Sequence, residues 1–179
     1  MKNRAIFLCG FMGAGKSTVG VRLAGLLGRT FLDLDTLIEK RAGLKITEIF
    51  ATSGEAFFRE LERQEVARLT NGFDGVVALG GGTLSNEGCL QTIKEKGTLI
   101  YLAAEPETIQ ARLVHADAKA LRPLLASLSG AERRLKINEL MRERMPFYLQ
   151  ADIHIATDLA EPEGLAREIE RLITRSKIK

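Results

Sequence analysis

Gly10-Phe11-Met12-Gly13-Ala14-Gly15-Lys16-Ser17 follows directly on the apolar run Ala5-Ile6-Phe7-Leu8-Cys9. Behind it comes a stretch whose Val19, Leu23, Leu26 and Leu27 share one helical face. This is Gly-x-x-x-x-Gly-Lys-Ser between a strand and a helix, the setting that a phosphate-binding P-loop requires. The glycines let the backbone curl until successive N–H groups point at phosphate oxygens, and the new helix adds its N-terminal partial positive charge. Gly13, Ala14, Gly15, Lys16, Ser17 and Thr18 thus read as a triphosphate cradle. Lys16 can reach the β- and γ-phosphates, and the Ser17 hydroxyl can ligate Mg²⁺. A nucleoside triphosphate is the expected ligand.

The chain of 179 residues fits one domain large enough to bury a real core. With 45% hydrophobic and 27% charged residues it has the balance of a globular protein rather than a disordered one. A formal charge of +3 suits small anionic substrates but is too weak and dispersed to argue for nucleic acid. No apolar run is long enough to span a bilayer. Met1-Lys2-Asn3-Arg4 leads straight into the first strand and leaves no room for a signal peptide, so a cytoplasmic protein is expected; a monomer is expected separately. Cys9 and Cys89 have neither metal-ligand nor redox spacing and read as buried thiols. His115 and His154 stand far apart without companion ligands.

Short apolar runs recur at Ala5–Cys9, Phe31–Leu34, Val76–Leu79, Thr98–Leu102 and Ile153–Ala156, with helix-period stretches between them. Helices are expected after the P-loop, in short pieces around Ile38, Ile46, Ile49 and Phe50, and from Gly54 to about Thr70. Further ones are expected at Cys89–Lys96, Pro106–Val114, Ala131–Tyr148 and Glu163–Thr174. Five near-continuous apolar strands alternating with helices predict an α/β fold, a three-layer αβα arrangement with a parallel sheet covered on both faces. Two segments break the rhythm. Residues 35–70 hold far more helix than a crossover needs, and residues 115–130 are short on periodicity. The first reads as a substrate-binding insertion and the second as a lid.

Asp33-Leu34-Asp35 ends the second run. On a strand, residues i and i+2 share a face, so both carboxylates can point into a site at the carboxyl ends of the sheet. The plainer alternative is a helix N-cap, with Asp35 capping the residues after it. Arg59 lies between Glu55 and Glu62 at helical spacing, which allows either a surface ion pair or a guanidinium aimed at a substrate carboxylate and steadied by Glu62. Gly80-Gly81-Gly82 strips side chains from the edge beyond the third strand and lets a ligand reach backbone N–H groups. Arg122, in the expected lid, is either solvated or able to swing over transferring phosphate. Arg144 closes a helix, where the dipole favours a cation in any case.

Taken together, GFMGAGKST, DLD, FRELE, GGG, RPLL and RMPFY, in this order and spacing from about Ile6 to about Pro162, resemble the shikimate kinase family. The resemblance implies a fold like that of nucleoside monophosphate kinases, with strand order 2-3-1-4-5. It also implies transfer of the ATP γ-phosphate to the 3-hydroxyl of shikimate, a step of aromatic amino-acid biosynthesis. Lys16, Asp35 and Arg122 would then be catalytic, with Ser17 and Asp33 serving Mg²⁺, Asp33 through water. Asp35, Arg59, Gly81, Gly82 and Arg144 would bind shikimate, the two arginines clamping its carboxylate, while Arg122 closes on the phosphates of ATP. Arg112 and the loop Thr157–Pro162 fall near the place expected for adenine.

Other small-molecule P-loop kinases, for gluconate or a nucleoside monophosphate, are the nearest alternative, but paired arginines with GGG favour a compact carboxylated polyol. A GTPase switch would carry Asn-Lys-x-Asp, and no asparagine here precedes a lysine. A degenerate binding module would normally have lost Lys16, Asp35 or Arg59, and all three are present.

Overall fold

The structure is a computed structural model that describes residues 4–86, 88–114, 128 and 130–176. Five strands form one sheet: β1 (Ile6–Cys9), β2 (Phe31–Asp33), β3 (Val76–Ala78), β4 (Thr98–Ala103) and β5 (Ile153–Ala156). All pairings are parallel and the order is β2-β3-β1-β4-β5, as the family resemblance implied. In register, Phe7 stands between Val77 and Leu99, and Leu8 between Ala78 and Ile100.

Seven helices are described: α1 (Lys16–Leu27), α2 (Leu34–Ala42), α3 (Ile46–Leu69), α4 (Cys89–Lys96), α5 (Pro106–Val114), α6 (Gly130–Tyr148) and α7 (Pro162–Ser176). A 3₁₀ turn at Thr83–Ser85 follows the glycine triplet. Side chains alternate across the strands, so β1 feeds two separate cores. Ile6 and Leu8 pack with Val19 and Leu23 of α1 and Leu165 and Ile169 of α7. Phe7 and Cys9 pack on the other face with Ile38 of α2, Phe58 and Val66 of α3 and Ile93 of α4. This is why the runs read as continuously apolar: both faces lose water, and apolar burial on each side is the main stabilising term. No helix among the described residues is long and apolar enough to cross a membrane.

One expectation needs correction. The second strand stops at Asp33, and Asp35 lies in the first turn of α2, so the two carboxylates do not share a strand face. Asp33, not Asp35, caps that helix: its Oδ1 accepts from the Thr36 amide at 3.2 Å. The strand yields because an aspartate side chain at this position satisfies an otherwise orphaned helix N–H. The expected break at Gly54 is present: within α3 that residue is non-helical, at φ 79° and ψ 173°, and divides a short helical piece beginning at Ile46 from a longer one that ends at Leu69. A residue with a β-carbon rarely tolerates that φ, whereas glycine adopts it freely.

Helix α3 begins without a capping side chain of its own at Lys45, since an ammonium cannot accept. Glu39 of α2 substitutes: its Oε1 accepts from the Ile46 amide at 3.1 Å and its Oε2 from Lys45 Nζ at 2.9 Å. Glu48 completes the arrangement by accepting from the Lys45 amide at 2.6 Å. The two helices of the insertion are thereby clipped together beside the cleft, which Glu39, Lys45 and Ile46 line. The expected lid lies outside the described residues apart from Leu128 and Gly130, and Arg122 falls with it.

Candidate active site

The carboxyl ends of the strands open on a cleft of about 1670 Å³. It extends from the loop Asp158–Pro162 past the P-loop to Lys45 and Phe50 of the insertion. In an open parallel sheet this end is where ligands bind, and every described residue expected to be functional except Gly81 lines this one cleft.

The P-loop owes its curl to Gly13 and Gly15, at φ 81° and 92°. Gly15 precedes α1 with no side-chain cap, and the first turn of α1 carries no acidic residue. The helix therefore presents its positive end and its orphaned N–H groups to the cleft, as anion binding requires. Lys16 arches back over the loop, and its Nζ donates to the carbonyls of Gly10 and Phe11 at 2.8 and 2.9 Å. These neutral acceptors hold the ammonium at the mouth of the cradle and are weaker partners than phosphate oxygens would be.

Ser17 Oγ donates to Asp33 Oδ2 at 3.2 Å. A hydroxyl beside a carboxylate is a hard, all-oxygen donor pair, the kind that suits Mg²⁺ when the ion keeps several waters and takes further ligands from phosphate. No group of three or more His, Cys, Asp or Glu among the described residues could hold a metal by itself. The donor set fits an ion that arrives with a nucleotide. Asp35, in the first turn of α2, lines the same cleft, as do Asp33 and Glu39.

The same cleft is lined by two arginines that the glycine triplet brings together. Arg59 sits beside Gly82, where an added β-carbon would lie 3.3 Å from Nη2, and Arg144 sits beside Gly81, where it would lie 2.9 Å from Nη1. Each guanidinium also covers a phenylalanine ring, Arg59 over Phe58 at 5.3 Å and Arg144 over Phe11 of the P-loop at 5.6 Å. Such stacking orients a guanidinium while leaving its N–H edges available. Arg144 is 9% exposed, and its buried Nη1 has no hydrogen-bond partner among the described residues. A buried, unsatisfied cationic donor is costly, and an anionic ligand arriving in the cleft would relieve that cost.

Arg59 is held by acids. Its Nη1 donates to Glu62 Oε2 at 2.9 Å, while Nε and Nη2 donate to Glu55 Oε1 at 3.2 and 3.0 Å. Burial of this guanidinium favours its neutral form, but Glu62 and then Glu55 outweigh that and hold its pKa above the ordinary value. Glu62 is itself buried and accepts from Thr83 Oγ1 at 2.6 Å and Asn86 Nδ2 at 3.1 Å. Asn86 Nδ2 also donates to the Arg59 carbonyl at 2.8 Å. On the other arginine's side, Tyr148 donates its hydroxyl hydrogen to the Gly81 carbonyl at 2.6 Å. Its ring stacks on Tyr101 at 5.2 Å, and burial pushes its pKa up.

Several of these supports have no signature in the sequence. Thr83 and Asn86 follow the glycine triplet but have no motif of their own, and Tyr148 ends the RMPFY stretch as an apparent core aromatic. Arg112 joins the two halves of the nucleotide side. Its Nη1 donates to the Gly13 carbonyl at 3.2 Å and its Nη2 to the Thr157 carbonyl at 2.7 Å. That bridge places the loop after β5 beside the P-loop, in the region expected for adenine.

A P-loop on the central strand of a parallel 2-3-1-4-5 sheet, with an acidic pair and paired arginines across one cleft, defines a small-molecule P-loop kinase. The family model of shikimate kinases matches residues 12–174 of the chain. Shikimate kinase of Chlorobaculum tepidum is 46% identical over 180 residues, covering 96% of this chain and 93% of that protein. Its counterpart in Chlorobium limicola is 44% identical, covering 95% of this chain and 86% of its own length. Among solved structures, shikimate kinase from Acinetobacter baumannii in complex with shikimate superposes with a TM-score of 0.88 at 36% identity, over 99% of this chain and 96% of that one. The chain belongs to the shikimate kinase family.

Proposed function

We propose that the chain transfers the γ-phosphoryl group of ATP to the 3-hydroxyl of shikimate, giving shikimate 3-phosphate and ADP. The observation that carries this reading is the meeting of Arg59 and Arg144 on adjacent glycines, in the cleft that Lys16 and Asp35 also line. A carboxylated polyol bound by its carboxylate there would direct its ring hydroxyls toward the acidic end of the cleft.

Phosphoryl transfer asks mainly for positioning and charge neutralisation. Lys16 and the N–H groups at the start of α1 bind the β- and γ-phosphate oxygens. Ser17, and Asp33 through water, would hold Mg²⁺, which when bound neutralises charge on those same oxygens. Gly81 and Gly82 offer backbone contacts to shikimate, and Arg59 and Arg144 fix its carboxylate. Asp35 orients the 3-hydroxyl and is placed to take its proton as the new oxygen–phosphorus bond forms and the bond to the ADP leaving oxygen breaks. Arg122 lies outside the described residues, and its place over the phosphates rests on the sequence alone. The two buried free thiols suit a reducing cytoplasm.

The test is ADP release coupled to a spectrophotometric readout, with shikimate, its methyl ester and gluconate as acceptors and Mg²⁺ present or chelated. Metal-dependent turnover with shikimate alone is expected. Equal turnover of the ester would remove the arginine clamp from the reading, and preference for gluconate would replace the substrate.

A further inference from the structure

We propose that Glu55 is a built-in competitor for the substrate carboxylate, occupying the Nε–Nη2 edge of Arg59 until the substrate displaces it. The inference rests on the reading that Arg59 binds that carboxylate.

A guanidinium has distinct N–H edges, each matched to a carboxylate. In Arg59 the two acids divide them. Glu62 takes Nη1, whereas a single oxygen of Glu55 takes both Nε and Nη2. The two acids are not equally fixed. The Glu62 side chain is 1% exposed and has further donors in Thr83 and Asn86, so its contact belongs to the core. The Glu55 side chain is 64% exposed and lines the cleft, and it hydrogen-bonds to nothing but Arg59 among the described residues. Exposed ion pairs of this kind contribute little net stability, so exchanging one carboxylate for another is nearly neutral.

Arg59 does not depend on Glu55 for its position. Glu62, the Phe58 ring, the close approach of Gly82 and the Asn86 bond to its own carbonyl all locate it from other directions. Removing the Glu55 charge therefore frees a charged edge without freeing the arginine. It also removes a negative charge from the path of an anionic substrate, an effect of the same sign. The contact further acts as a filter, because an uncharged analogue cannot replace a carboxylate on that edge on equal terms.

The experiment is calorimetric titration of shikimate into Glu55→Gln, Arg59→Ala and the double variant, with steady-state kinetics alongside. Glu55→Gln is expected to lower the shikimate Kd by about two- to five-fold, the size of an exposed pair, with kcat and the ATP KM unchanged. The gain should shrink at high salt and disappear both in the Arg59→Ala background and with shikimate methyl ester. If Glu55→Gln binds shikimate as well as the parent protein or more weakly, while Arg59→Ala binds it poorly, Glu55 is a positioning residue and the competitor role is overturned. If Arg59→Ala leaves shikimate binding intact, the clamp itself fails, and the competitor role fails with it.

Discussion

A β-carbon at Gly81 would fall 2.9 Å from Arg144 Nη1, so the guanidinium fills the volume that any side chain there would need. The backbone at Gly81 is not in the left-handed region, so alanine is conformationally acceptable and only the contact is at stake. Since the obstructing atom is the end of a flexible side chain, Gly81→Ala should fold with less than about 1 kcal/mol lost. Its shikimate KM should nevertheless rise about ten-fold as Arg144 is pushed aside, the size of a charge-assisted contact. Denaturant unfolding and steady-state kinetics check both halves. A stable protein with an unchanged KM would mean that Arg144 has slack to spare.

Tyr148 ties the end of α6 to the loop after β3 through its bond to the Gly81 carbonyl. Tyr148→Phe keeps the ring and its stacking on Tyr101 but leaves that carbonyl without its partner, which should cost about 1–3 kcal/mol in unfolding free energy. The glycine edge loosens in the same step, so the shikimate KM should increase several-fold while the ATP KM hardly moves. Loss of affinity for both substrates alike would point to general destabilisation instead.

How far these features were legible in the sequence depends on the range of the interactions that create them. The five strands and the P-loop are visible because each is set by its own few residues: apolar runs, two glycines and a lysine in fixed spacing. The end of β2 departs from the sequence reading because Asp33 leaves the strand to cap α2. The break at Gly54 was legible because a φ of 79° favours glycine, whereas the cap that Glu39 gives the Ile46 amide comes from the preceding helix and has no local signature. Arg59 shows the same division. Its spacing from Glu55 and Glu62 is plain in the sequence, but burial of Glu62 alone follows from docking of the 3₁₀ turn that carries Thr83. Helical periodicity cannot distinguish those two acids, and the fold does.

The clip between α2 and α3 should appear in the acid limb of stability. Partial burial alone would raise the Glu39 pKa, but the bonds from Lys45 and the Ile46 amide prevail and hold it below its ordinary 4.5. A depressed folded pKa contributes stability above the unfolded value, and that contribution is lost as pH falls through the folded one. Glu39→Gln keeps an acceptor for the Ile46 amide and removes only the charge. It should be less stable than the parent above about pH 5, by no more than about 1 kcal/mol, with the difference closing as pH drops below 4.5. Lys45 is raised above its ordinary 10.5 by the same contact, so the pair persists across the neutral range. Urea unfolding at a series of pH values gives the comparison. A gap that widened toward low pH would have the wrong sign for this assignment.

The two arginines should not be equivalent. Three of the Arg59 N–H groups are already engaged by Glu55 and Glu62, whereas Arg144 keeps a buried Nη1 without a partner. A carboxylate arriving between them relieves an unsatisfied donor on Arg144 but at Arg59 only replaces a carboxylate already present. Arg144→Ala should therefore weaken shikimate binding more than Arg59→Ala. The loss expected at Arg144 is about 1.5–3 kcal/mol, or one to two decades in Kd, with a smaller loss at Arg59. Esterifying the substrate should reproduce the larger loss in the parent protein and add little in Arg144→Ala, because the contact is then already gone. Neither substitution should move the ATP KM appreciably, since phosphate is gripped by Lys16 and the N–H groups at the start of α1, and Arg144 meets the P-loop only through the Phe11 ring. Equal losses at the two positions would show that Arg59 meets the carboxylate with free donors, and that its acids step aside at no cost.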